Sequence, residues 1–178
     1  MNHTLTQIWV HAIWCTRDRK SLIKTVFQAP LNRYLRYKLQ EMDCPVRVIN
    51  GTSDHVHLLF QLGHEVPLTR LIEHTQRESA RWVHEQHFLQ IPFSWQPGYC
   101  ALSVSGSMVQ RVEAFIREQR LFHQKTTFIQ EYRQFLTKCG FVENEWMRRN
   151  VRRARMPFSA AGKEAEWDSL TRFGKGTG

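Results

Sequence analysis

The chain has 178 residues, 42% of them hydrophobic and 12% aromatic. That is enough for one compact domain with a core, or one domain with an appendage, and it excludes a chain disordered throughout, which lacks the apolar area to offset its ordering entropy. Lys and Arg number 25 against 16 Asp and Glu, a formal charge of +9, which favours a polyanionic partner, nucleic acid first, because each phosphate neutralised releases condensed counterions.

No stretch approaches the ~18 uninterrupted apolar residues of a membrane span. The N-terminal MNHTLTQIWVHAIW has neither a basic segment nor a small-residue cleavage site. Cysteines at 15, 44, 100 and 139 form no C-x-x-C pair, which argues against a zinc knuckle or a redox dithiol. The expectation is a cytoplasmic protein in a reducing compartment, away from membranes.

In chain order, Leu5 to Cys15 alternates loosely and is rich in Ile, Trp and Val, the composition of a strand. From Val26 to Met42, Phe27, Leu31, Tyr34, Leu35, Leu39 and Met42 recur every three or four residues and predict an amphipathic helix. Val46 to Asn50 and His55 to Gln61 predict two strands joined at the Gly51–Asp54 turn. A second helix is expected from Leu68 to about His87, its polar middle, Glu73 to Arg81, facing solvent or a ligand. A Pro/Gly-punctuated loop over 91–98 leads into a strand from Tyr99 to Ser105. Ser107-Met-Val-Gln110 has capping-box spacing for a third helix through Phe122, and Thr127-Phe-Ile-Gln130 repeats it for a fourth that ends at Gly140. The order β-α-β-β-α-β-α-α predicts an α+β protein, a ferredoxin-like split β-α-β with an antiparallel sheet plus C-terminal helices. Residues 1–146 form the expected domain, and 147–178, where Arg148, Arg149, Arg152, Arg153 and Arg155 crowd together, an arginine-rich, partly flexible arm.

His55 and His57 are two apart on a predicted strand, so both face one way, about 7 Å apart at Cα, while Val56, Leu58 and Phe60 face the core. The pair fits a metal platform or two imidazoles satisfied by neighbouring carbonyls. On the third helix, Met108, Val112, Phe115, Gln119 and Phe122 form one stripe in which Gln119 is the only polar member, an amide that needs a seam edge or a ligand.

Asp54-His-Val-His57, the block Phe93-Ser-Trp-Gln-Pro-Gly-Tyr99 with Ser103-Val-Ser105, and Phe115-Ile-Arg-Glu-Gln119 with His123 downstream resemble the single-tyrosine HUH transposases of small insertion sequences, especially the relatives associated with repetitive extragenic palindromes. The resemblance covers roughly residues 5 to 146. It implies that His55, His57 and Gln119 hold Mg²⁺ or Mn²⁺, that the substrate is single-stranded or hairpin DNA, and that the protein is a homodimer. It also implies DNA cleavage and rejoining through a 5′-phosphotyrosine that leaves a free 3′-hydroxyl.

The chain departs from the family pattern where it matters most: the position of the tyrosine nucleophile is Phe115. Phenylalanine has no oxygen with which to form a phosphoester, so this chain is expected to be inactive in covalent cleavage. Tyr99 and Tyr132 are the replacement candidates, neither at the family's spacing from Gln119. Expected DNA contacts are Arg77 and Arg81 on the second helix, Arg117 and Arg120 on the third, and Arg148, Arg149, Arg152 and Arg153 of the arm, with Trp95 and Tyr99 available to stack on bases. The rival readings are a non-catalytic hairpin-DNA-binding regulator and, further off, a hydrolase using metal-bound water.

Overall fold

The computed structural model describes residues 5–138. In chain order these form β1 (Trp9–Cys15), α1 (Thr25–Gln40), β2 (Val46–Gly51), β3 (His55–Gln61), α2 (Leu68–Glu85), β4 (Cys100–Val104), α3 (Val109–Arg117), α4 (Gln119–Phe122) and α5 (Phe128–Lys138). The strands make one sheet in the order β2-β3-β1-β4, with every neighbouring pair antiparallel. β1 and β2 therefore flank β3, the split β-α-β arrangement expected from the sequence. Cys139, the glycine stop at Gly140 and the whole arm over 147–178, with Arg148, Arg149, Arg152, Arg153 and Arg155, lie outside the described residues.

Alternation along the two central strands fixes the layers. Val10, Ala12 and Trp14 of β1 and Val56, Leu58 and Phe60 of β3 face one side. There they join Phe27, Leu31, Leu35 and Leu39 of α1 and Leu71, Ile72 and Val83 of α2 in a single apolar core. The β2–β3 hairpin depends on glycine: a Cβ on Gly51 would lie 2.1 Å from the His55 carbonyl oxygen, so a larger residue would push β2 off the strand that carries both histidines.

Four details differ from the sequence reading. β1 starts at Trp9, and Leu5 is 98% exposed. The polar middle of α2 is only partly a solvent face. Thr75 and Ser79 are fully buried, their hydroxyls donating to the carbonyls of Leu71 and Thr75 four residues back, so small polar side chains satisfied by their own helix can point inward. The capping box expected at Ser107 does not form: Ser107 sits in a 3₁₀ turn, Gly106–Met108, and its hydroxyl pairs with that of Ser105. The Thr127 box does form, with Thr127 Oγ1 accepting from the Gln130 amide and Gln130 Oε1 accepting from the Thr127 amide.

The fourth difference bears on function. The single helix expected through Phe122 is broken at Glu118 into α3 and α4. The cause lies far away in the chain. Asn50 of β2 donates its side-chain amide to the carbonyls of Ile116 at 2.9 Å and Arg117 at 2.8 Å, the groups a continuous helix would offer to the amides of residues 120 and 121. That clamp ties the end of α3 to the strand beside β3, where Asn50 pairs with His57.

Candidate metal centre

The second face of β1 and β3 carries His11, Ile13 and Cys15 opposite Leu59, His57 and His55 respectively, and α3, α4 and α5 cover it. His55 and His57 are both completely buried. Each is held through Nδ1. His55 Nδ1 lies 2.8 Å from Asp54 Oδ1, with Thr52 Oγ1 at 2.9 Å, and His57 Nδ1 lies 3.0 Å from His11 Nε2. The Nε2 atoms of both rings turn to a common point, where α5 delivers Glu131: His57 Nε2 is 3.5 Å from Oε1 and His55 Nε2 3.9 Å from Oε2. Ligand atoms of His55, His57 and Glu131 all lie within 4.8 Å of one another.

Gln119, at the start of α4, completes the cluster. Its amide nitrogen donates to Glu131 Oε1 at 3.1 Å, and its oxygen lies 3.3 Å from His55 Nε2 and 3.1 Å from His123 Nε2. His123 donates Nδ1–H to the Thr126 carbonyl at 2.7 Å and sets Nε2 3.0 Å from Glu131 Oε2. At the centre His57 Nε2 is buried without a close hydrogen bond, and Glu131 Oε2 has His123 Nε2 as its near partner, at 3.0 Å. An uncompensated polar atom in a dry interior is costly, and a bound cation would satisfy it. The donor set therefore fits a divalent ion. Two imidazole nitrogens and a carboxylate are ordinary ligands for such ions, and the amide oxygen of Gln119 is an additional hard donor.

The electrostatics agree with the geometry. Burial alone would raise the Glu131 carboxyl, but the imidazoles of His57, His123 and His55 outweigh it and hold the group well below the usual carboxylate range. Burial pushes His57 down, and it takes His11, next to His57, down to about 3, so His11 is a neutral imidazole at ordinary pH. His123 moves the other way: burial opposes its protonation, but the hydrogen bond and charge of Glu131 raise it.

Aromatic rings wall the site. Phe115 presents its ring edge-on to His57 at 5.9 Å between centroids and is 9% exposed. Phe128 stacks over His55 at 4.4 Å and Phe135 lies 5.5 Å from His11, both from α5.

The structure thus brings together His55, His57, Gln119 and Phe115, distant in sequence. The other expected site residues lie elsewhere. Arg77 contacts Glu78 and His74, Arg81 pairs with Glu78 and Glu85, and Arg117 pairs with Glu113. Arg120 reaches the buried Gln28 of α1. All four are exposed, and each has a protein partner. Trp95 donates its indole N–H to Ser79 and packs edge-on against Trp14, so it is largely a core residue. Even so, it lines a cleft of about 330 Å³ with Gln76 and Arg77. The Tyr99 hydroxyl bonds Thr69, and burial pushes the Tyr132 hydroxyl far above its ordinary value.

Sequence reasoning missed Glu131 and His11. His11 was accessible through parity, since it shares the period-two face of the strand that pairs with β3. Glu131 left a fainter trace, a carboxylate between Phe128 and Phe135 on the stripe that also holds Tyr132 and Leu136.

A family model described as "Transposase IS200 like" matches residues 4–119. It spans His55, His57, Phe115 and Gln119 and stops short of His123 and Glu131. No curated protein matches the sequence. Among solved structures, a candidate transposase from Deinococcus radiodurans R1 is similar with 22% identity and a TM-score of 0.55, over 67% of this chain and 95% of that one. A REP-associated tyrosine transposase bound to a REP hairpin is similar with 14% identity and a TM-score of 0.50, over 97% of this chain and 96% of that one. At such identities the two likenesses concern the fold.

Proposed function

Since the chain belongs to the IS200-like transposase family, whose members are DNA-cleaving enzymes, we propose that it acts on single-stranded or hairpin DNA with Mg²⁺ or Mn²⁺ held by His55, His57 and Glu131, with Gln119 beside them. One observation carries this reading: two imidazoles and a carboxylate, all buried, converge with ligand atoms within 4.8 Å of one another. The structural neighbour solved with a REP hairpin supports hairpin DNA as the partner. When bound, such an ion supplies Lewis acidity to a phosphate oxygen.

The chain's own residues prepare the rest. Asp54 orients His55, Glu131 offsets the charge of a dication in a dry place, and α3 sets the ring of residue 115 beside His57. With tyrosine at 115, that ring would carry the oxygen that attacks phosphorus, leaving a 5′-phosphotyrosine and a free 3′-hydroxyl. With Phe115 it has none, so this chain binds without forming the covalent link. Arg77, Arg81, Arg117 and Arg120, and the arm's Arg148, Arg149, Arg152 and Arg153, would contact phosphates, with affinity falling as salt rises. A homodimer is part of the proposal, as the family likeness suggests. No helix among the described residues is long and apolar enough to cross a membrane, in keeping with a cytoplasmic protein.

A second reading, a non-catalytic hairpin-binding regulator, is favoured by Phe115 together with the cover that Phe128 and Phe135 form over the histidines. The experiment that separates the readings is Phe115→Tyr assayed with Mn²⁺ on a panel of hairpin oligonucleotides. The transposase reading expects a covalent protein–DNA adduct that disappears with EDTA and when His57→Ala is added. Hairpin binding that survives EDTA, with no adduct from the tyrosine variant, would leave only the regulator.

A further inference from the structure

We infer that His11 is the positioning residue for His57, fixing the ring so that its Nε2 lone pair faces the metal position. The inference rests on the metal reading above and deepens it. β1 and β3 pair so that His11 stands opposite Leu59 and His57 opposite Ile13, which sets the two imidazoles on the same face as diagonal neighbours. His11 Nε2 and His57 Nδ1 are 3.0 Å apart and both rings are buried, so one proton lies between these two nitrogens.

Where that proton belongs follows from the rest of the cluster. If it sat on His11, His57 would carry its own hydrogen on Nε2. That hydrogen would point at Glu131 Oε1, 3.5 Å away, and would occupy the direction a cation needs. If it sits on His57 Nδ1 and is donated to His11, the Nε2 lone pair is free. His55 provides the parallel on its outer side, with Nδ1 facing the Asp54 carboxylate, which can only accept, and Nε2 turned to the same point, where Gln119 Oε1 lies 3.3 Å away while no cation is there. The two ligand rings then have the same polarity about one position, as metal-bound histidines with outer hydrogen-bond partners do.

The outer partners differ in a way that suits the site. Asp54 and Glu131 already bring two carboxylates. A third behind His57 would add charge to a closed interior, whereas a neutral imidazole orients the ring and adds none. Phe115 and Phe135, at 6.4 and 5.5 Å between ring centroids, hold His11 edge-on from two sides.

The test is nitrogen NMR of ¹⁵N-histidine-labelled full-length protein without metal, followed by Mn²⁺ titration read by the EPR signal of free ion. Expected is His57 protonated on Nδ1 in the wild type and a mixture of tautomers in His11→Phe, which keeps a ring but offers no acceptor. Expected too is Mn²⁺ affinity about 10–100-fold weaker in His11→Phe and restored to within about threefold in His11→Gln, whose amide oxygen reaches the place of Nε2. Wild-type His57 protonated on Nε2 overturns the inference, and this measurement does not depend on how any variant folds. Unchanged tautomer and affinity in His11→Phe overturn it as well. A wild type that binds no Mn²⁺ would defeat the metal reading, while the tautomer still decides the role of His11.

Discussion

The two faces of β1 and β3 are equally closed to solvent and chemically opposite. On one, Val10, Ala12, Trp14, Val56, Leu58 and Phe60 meet α1 and α2 almost wholly through hydrocarbon, the buried indole N–H of Trp14 being a lone polar group without a hydrogen bond. On the other, one residue out of step along the same strands, His11, His55 and His57 meet Gln119, Glu131 and His123. The first face needs only volume and shape, and its stability scales with the apolar area removed from water. The second needs partners for every nitrogen and oxygen, and it leaves His57 Nε2 without a close one. Several buried polar side chains converging on one point mark a site, since a fold selected for stability alone would fill the place with hydrocarbon.

The largest effect should come from the apolar face. Leu58 is fully buried, and Leu58→Ala should lower the unfolding free energy in urea by about 2–5 kcal/mol while leaving Mn²⁺ affinity within about twofold, because its side chain points away from the imidazoles. A comparable loss of metal binding would mean that the faces are not independent. The clamp between them should matter less. Asn50→Ala frees the Ile116 and Arg117 carbonyls and should cost about 1–2 kcal/mol. It should also weaken Mn²⁺ binding, because the end of α3 and hence Gln119 lose their tie to the sheet.

The smallest effect concerns Cys15, on the site face beside His55. Burial pushes its thiol up to about 12, so iodoacetamide at pH 8 should leave it unmodified in the folded protein and alkylate it in urea. The unfolded chain releases this proton first, near the ordinary thiol value of 9.0. Stability should therefore decline as pH rises from about 9 toward 12, with a slope of at most about 1.4 kcal/mol per pH unit from this group.

What the sequence made legible were patterns that repeat locally. Phe27, Leu31, Leu35 and Leu39 announce α1 because a helix buries every third or fourth residue, and the hairpin at Gly51 is written in turn residues. Among the site residues, His55 and His57 were readable from strand parity, and Phe115 and Gln119 from their place in a family pattern. The break at Glu118 was not readable, because its cause, Asn50, is more than sixty residues away and acts only after β2 and α3 meet. Glu131 was hidden for the same reason. A carboxylate on an apolar stripe looks like an ordinary helix residue until α5 lands on the histidine face, and it lies beyond the segment matched to the family.

The central claim is that His55, His57 and Glu131 hold a single divalent ion. Mn²⁺ titration of the metal-free protein, by calorimetry and by EPR of free ion, tests it most directly when the wild type is set beside Glu131→Gln, which keeps the shape and removes the charge. The account predicts one ion per chain in the wild type and affinity weaker by at least about a hundredfold, ~2.7 kcal/mol, in the variant. Binding of equal strength in both proteins, or no saturable binding in the wild type, would contradict it.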